Sequence, residues 1–119
     1  YLDNEESIMA VKTVKNLVVD QGSTFSATIT VTTDGSTVKN LAGYTTTGQI
    51  RKSYASSTAT DFTTSQVDAT GVITISLTAT QTTALKSGRY VYDVEIANAP
   101  EVIRVREGIV TVTPQVTKS

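Results

Sequence analysis

Asp93, Glu95, Arg104 and Arg106 are the charged residues whose spacing comes nearest to a chemical constellation. They alternate with apolar residues in two segments on either side of a short turn. Two carboxylates on one face suit general acid–base work on a glycosidic bond, but that chemistry also needs a cleft and aromatic sugar platforms. The chain has no Trp and only 6% aromatic residues. Arginines opposite the acids make them a cross-strand ladder, in which an exposed pair contributes about 0–1 kcal/mol. Arginine is also a favoured anchor at protein interfaces, so the same four residues are the candidate protein-binding surface.

Other routes to catalysis are closed by composition. The chain contains no His and no Cys, which removes the usual nucleophile–base pairs and the commonest metal ligands. Ser87 beside Lys86 is a poor Ser–Lys arrangement, because neighbours on a turn point apart. Asp34, Asp61 and Asp68 lie in separate loops, and their spacing matches no calcium loop. No phosphate-binding glycine loop is present. The expectation is therefore a non-enzymatic protein with no catalytic residue, no metal site and no cofactor.

The elements that must position the charges follow from hydrophobic period. Thr is the commonest residue, followed by Val, and both favour strands. Period-two alternation predicts strands over 14–19, 24–33, 43–54, 72–77, 88–96 and 102–113, with a weaker one over 61–66 around Phe62. Asp34-Gly35-Ser36 and Val67 to Gly71 read as turns. Alternation fails over 78–86, where a short helical turn capped by Thr80 would bury Leu85. Ala97 to Glu101 reads as a hairpin loop. Setting Ile96 opposite Ile103 and Val94 opposite Val105 also sets Glu95 opposite Arg104 and Asp93 opposite Arg106, so both faces agree on one register. Glu107 would then face Tyr92 on the inner side. Gly108 marks an apparent switch of parity, as at a bulge.

About seven strands with regular turns predict a sandwich or barrel. Lys86 to Tyr92 sharpens this. A small turn containing Gly88, then Tyr90, then a core residue two positions on, is the pattern of a tyrosine corner. The predicted fold is an all-β, immunoglobulin-like antiparallel β-sandwich of about seven strands, with one short helical turn near 80–86. The disulfide and core Trp of antibody domains are absent.

Length and charge bound the rest. The 119 residues suit one domain. A formal net charge of -1 offers no basic surplus for phosphates, so no nucleic acid is expected. No apolar run is long enough for a bilayer, so no membrane is expected. Residues 1–8 are acidic and carry no strand period, and Met9-Ala10 looks like a translational start. They are expected to be a flexible N-terminal arm or an over-extended start, with residues 9–119 forming the single domain. The intact mass of the native protein distinguishes the two.

An ordered set of short motifs runs along the chain. It comprises Asp20-Gln21-Gly22-Ser23-Thr24-Phe25, Asn40-Leu41-Ala42-Gly43-Tyr44 and Gln49-Ile50-Arg51-Lys52. Gly71 to Ile75, Leu77 to Thr82, Gly88 to Glu95 and Arg106-Glu107-Gly108 continue it. From Val14 to Thr117 this resembles small virion structural proteins of tailed bacteriophages, including phages of marine bacteria, and the N-terminal domain of phage upper baseplate proteins. The resemblance implies an immunoglobulin-like fold, other virion proteins as partners and many copies or a homo-oligomer in a symmetric particle. It also implies a place in the virion after assembly in the host cytoplasm, as capsid decoration, tail or baseplate. It carries over no catalytic residues. The competing expectation is a bacterial cell-surface module of adhesin type, where Thr-rich sandwiches also occur.

Overall fold

The computed structural model describes residues 10–117, so the expectation for residues 1–8 lies outside the described residues. Alternation of β-branched residues gives nine strand segments: β1 (Thr13–Val14), β2 (Leu17–Asp20), β3 (Phe25–Thr30), β4 (Thr45–Arg51), β5 (Thr60–Asp61), β6 (Thr63–Val67), β7 (Val72–Leu77), β8 (Gly88–Asn98) and β9 (Glu101–Thr113). One sheet runs β1-β9-β8-β4-β5, with β2 also on β9, and the other runs β3-β7-β6. β1 and β2 are one edge strand broken at Lys15-Asn16. β5 and β6 are one strand that changes sheet at Phe62. With each pair counted once, the seven expected strands are recovered.

One pairing departs from the all-antiparallel expectation. β1 and β2 lie parallel to β9, from Thr13 opposite Arg106 to Asp20 opposite Thr113. Parallel neighbours need a long crossover connection, and nearly the whole intervening chain serves as one here.

The core lies between the sheets. Leu17 and Val19, Ile29 and Val31, Ile50, the Ile73-Ile75-Leu77 face, the Tyr92-Val94-Ile96 face and Val105, Val110 and Val112 are all buried. Each such side chain contributes about 1.5–3 kcal/mol by leaving water. At the crossing point, the Phe62 ring stands edge-on to Tyr92, with centroids 6.1 Å apart and planes at 82°. Its other neighbour is Phe25 at 6.4 Å.

The helical turn is α1 (Ala79–Ala84), and its cap is Thr78, not Thr80. Thr78 accepts from the Gln81 N–H while the Gln81 side chain accepts from the Thr78 N–H. This reciprocal box satisfies two orphan donors at once, which Thr80 inside the helix cannot do. Leu85 is buried at the C-cap. Thr82 is also fully buried, donating to the Ser23 carbonyl at 2.8 Å and accepting from the Gly22 N–H at 3.0 Å. The helix therefore holds the turn that leads into β3.

At the corner, Gly88 has φ +137, a conformation side chains disfavour. Two residues later the Tyr90 hydroxyl donates to the Lys86 carbonyl at 2.8 Å. Lys52 Nζ sits 4.8 Å from the Tyr90 ring centroid.

Candidate functional site

The β8–β9 hairpin brings the candidate charges together only in part. Ile96 faces Ile103 and Glu95 faces Arg104, but the register then shifts by one: Val94 faces Arg106, Asp93 faces Glu107 and Tyr92 faces Gly108. The bulge is thus at Val105-Arg106, not at Gly108. Both bulge residues stand opposite Val94, so the chain keeps Val105 buried and still returns Val110 and Val112 to the core.

Two expectations change as a result. Arg106 does not join Asp93; its Nε donates to Thr13 Oγ1 at 2.8 Å, at the edge toward β1. Its long stem lets it leave the inner face there. Glu107 does not face Tyr92; it lies on the outer face beside Asp93. Arg104 takes over the pairing, with its Nε 3.3 Å from Asp93 and its Nη1 3.1 Å from Glu107. Lys12 adds a 3.1 Å contact to the same Glu107. These partners hold the Glu107 carboxyl below its usual range, chiefly through the hydrogen bonds from Lys12 and then Arg104. Glu95 lies opposite Arg104 in register but makes none of the ion pairs found among the described residues.

Residues that the charge pattern alone did not single out complete this face. Gln49 of β4 lies opposite Asp93 and donates to Asp61 at 2.7 Å. Arg51 donates to Gln49 at 2.9 Å and to the Ser56 carbonyl at 2.7 Å. Their strand parity in β4 was the available signal. Together with Tyr54, which is 82% exposed, they border a shallow depression of about 210 Å³ whose lining includes Val91, Asp93, Arg104 and Glu107. Within it Arg104 is paired with Asp93 and Glu107, while Arg51 is held by the neutral Gln49 and Ser56. Such a surface can orient a partner through mixed charge, but it presents no nucleophile beside a base.

The three aspartates Asp34, Asp61 and Asp68 do not meet, and Asp61 lies in β5 rather than in a loop. Asp34 accepts the backbone N–H groups of Thr37 and then Ser36 in its own turn, which lowers its pKa. Asp61 bonds Gln49, and Asp68 bonds Gln66 at 2.7 Å. Among the described residues no group of three or more potential metal ligands converges, and no helix is long and apolar enough to cross a membrane.

Beneath this face, Tyr92 is only 4% exposed, and its hydroxyl donates to the Lys15 carbonyl at 2.6 Å. Burial pushes its pKa up to about 12, against an opposing pull from Arg106. The folded value lies above the ordinary 10.0, so Tyr92's contribution is intact below that pH and fades as pH rises toward 12. Tyr44, hydrogen-bonded to Glu101, shifts in the same direction. Thermal melts between neutral and strongly alkaline pH should therefore show falling stability at the alkaline end. Tyr92→Phe should flatten that fall, and an unchanged profile would separate it from Tyr92.

No family model matches the chain, and no curated protein matches it. Among solved structures, the chain is similar to InlP of Listeria monocytogenes. Identity is 19% and the TM-score is 0.51, over 86% of this chain and 28% of that one. The chain thus spans little more than a quarter of InlP's length, and the likeness concerns the fold alone. With the two-sheet order and the corner, it establishes an all-β, immunoglobulin-like sandwich.

Proposed function

We propose that this chain is a non-enzymatic structural module of a tailed-phage virion, binding other virion proteins in many copies after assembly in the host cytoplasm. The observation that carries the reading is the ordered resemblance from Val14 to Thr117. Its motifs fall at positions that set the sandwich's shape. Leu41-Ala42-Gly43-Tyr44 leads into β4, Gly88-Arg89-Tyr90 opens β8 at the corner, and Arg106-Glu107-Gly108 begins within the bulge. The outer face of β4, β8 and β9 supports it further. Arg104 is paired with Asp93 and Glu107 there, while Glu95 makes none of the ion pairs among the described residues, a mixed-charge arrangement suited to positioning a partner rather than to moving a proton.

Quantitative mass spectrometry of purified particles tests the reading, with the chain expected at a fixed copy number. Arg104 is the hub of the candidate surface. Its ion pairs are exposed, so Arg104→Ala should cost the isolated domain less than about 1 kcal/mol. The same substitution should lower the copy number per particle, since a docked arginine can be worth about 2 kcal/mol or more. Normal incorporation with normal melting would move the docking surface elsewhere. Recovery of the chain in a bacterial envelope fraction instead of in particles would replace the reading with the adhesin-type one.

A further inference from the structure

β3 is the outer strand of the three-stranded sheet. The Val31 N–H donates to the Gly71 carbonyl at 2.8 Å, and the same register pairs Ile29 with Ile73, Ala27 with Ile75 and Phe25 with Leu77. Residues of an antiparallel ladder alternate in the direction of their backbone groups. Ser26, Thr28 and Thr30 therefore turn their N–H and C=O groups away from β7, and no strand among the described residues takes them. One step further along the chain, the Thr32 carbonyl accepts the Val11 N–H at 2.8 Å. That side of the strand already accepts a backbone donor.

The other edges are guarded. β6 is bracketed by Asp61 and Asp68, and its Thr64 and Gln66 side chains bond the Thr46 and Tyr44 carbonyls of the facing sheet. β5 has two residues, one of them Asp61. The β1–β2 edge is broken at Lys15-Asn16 and carries Asp20. Charge, brevity and interruption are the usual means of preventing edge pairing. β3 has none of them: Phe25-Ser26-Ala27-Thr28-Ile29-Thr30 contains no charge, no proline and no bulge.

We propose that β3 is a self-association edge. Two copies of this chain pair antiparallel through it about a two-fold axis at Thr28, joining the two smaller sheets into one. In that register Ser26 meets the second copy's Thr30, Thr28 meets its own equivalent, and Ala27 meets the second copy's Ile29. Hydroxyls then face hydroxyls on the outer side and apolar groups face apolar groups on the inner side. A slip of one residue would oppose hydroxyls to apolar groups on both faces. A charged partner strand would find no counter-charge on β3, whereas a second copy brings no charge to match. The arrangement is isologous and closes on itself. The inference concerns the isolated chain and stands apart from the virion reading, so either can fail without the other.

Strand addition buries little surface, so the pairing belongs to the weak, reversible class. Sedimentation equilibrium of the full chain should show a concentration-dependent monomer–dimer equilibrium in the micromolar range. Thr28 is exposed, so Thr28→Lys and Thr28→Glu should melt like wild type. Each places like charges across the axis and should weaken the dimer about tenfold or more. Mixing the two variants in equal amounts should restore dimer, as a heterodimer. Hydrogen exchange needs no mutation: amide protection at Ser26, Thr28 and Thr30 should rise with concentration, while Ala27 and Ile29 stay protected throughout. A wild-type chain that remains monomeric, dimers that ignore both charged variants, or exchange at those three amides that ignores concentration would each overturn the proposal.

Discussion

Gly108→Ala is expected to lower stability by about 3 kcal/mol, combining an overpacking cost with lost hydrogen bonds. In a domain of this size that is a fall in melting temperature of roughly 10 °C. The cause is lack of space. Gly108 lies opposite Tyr92, under the break between β1 and β2. A Cβ there would stand 2.3 Å from the Lys15 carbonyl oxygen and 2.8 Å from its carbon. Those are backbone atoms, so no side chain can swing aside. Lifting the edge strand would strain three contacts together. The Lys15 N–H donates to the Glu107 carbonyl at 3.0 Å, the Tyr92 hydroxyl donates to the Lys15 carbonyl, and the Ile109 N–H donates to Asn16 Oδ1 at 3.1 Å. Circular dichroism melts measure the effect. A loss below about 1 kcal/mol, the usual worth of one hydrogen bond, would mean that the edge strand yields freely.

Phe62→Ala is expected to cost about 3–5 kcal/mol, the range for truncating a buried aromatic ring. Phe62 is 6% exposed, and it sits where the chain passes from one sheet to the other. Its N–H donates to the Gly48 carbonyl at 2.9 Å, so the backbone crossing survives the substitution. The space left by the ring would not refill easily, because Gly48 packed beside it has no side chain. A Cβ built on Gly48 would come 3.0 Å from the Phe62 ring. Gly48→Ala should therefore cost less beside Phe62→Ala than alone, a coupling that a double-mutant cycle measures. Additive costs would show that the ring and the glycine do not share the space. Phe62→Leu should cost less than about 1.5 kcal/mol, since it conserves most of the volume.

Much of the fold was legible because period two is a strong code. Phe25-Ala27-Ile29, Ile73-Ile75-Leu77 and Tyr92-Val94-Ile96 each face inward as their alternation indicates. The Gly88–Tyr90 corner was legible because its hydrogen bond spans only four residues. The cap at Thr78 was also present in the sequence, in the Thr-x-x-Gln spacing. The bulge was not. Val105 and Val110 are both inward, so parity must switch somewhere between them, and a glycine attracts the assignment to Gly108. In the structure it falls at Val105-Arg106, where Arg106 meets Thr13, 93 residues away. The candidate site shares that limitation. Arg104 is one residue from the turn-proximal Ile103 and could be placed, whereas Lys12, Gln49 and Arg51 reach the same face only through long-range pairing.

The parallel union of β1 and β2 with β9 has a mechanical consequence. These strands lie near the two ends of the described chain and point the same way. Tension applied between those ends pulls β2 and β9 in opposite directions along their shared length. The rungs from Leu17–Val110 to Asp20–Thr113 are then loaded side by side, in shear, instead of parting one after another as in a peeled hairpin. The packing of Leu17 and Val19 into the core resists the same displacement. A chain joined in this way is braced against stretching along the direction of these strands. Its resistance to pulling should therefore exceed what its thermal stability alone would suggest.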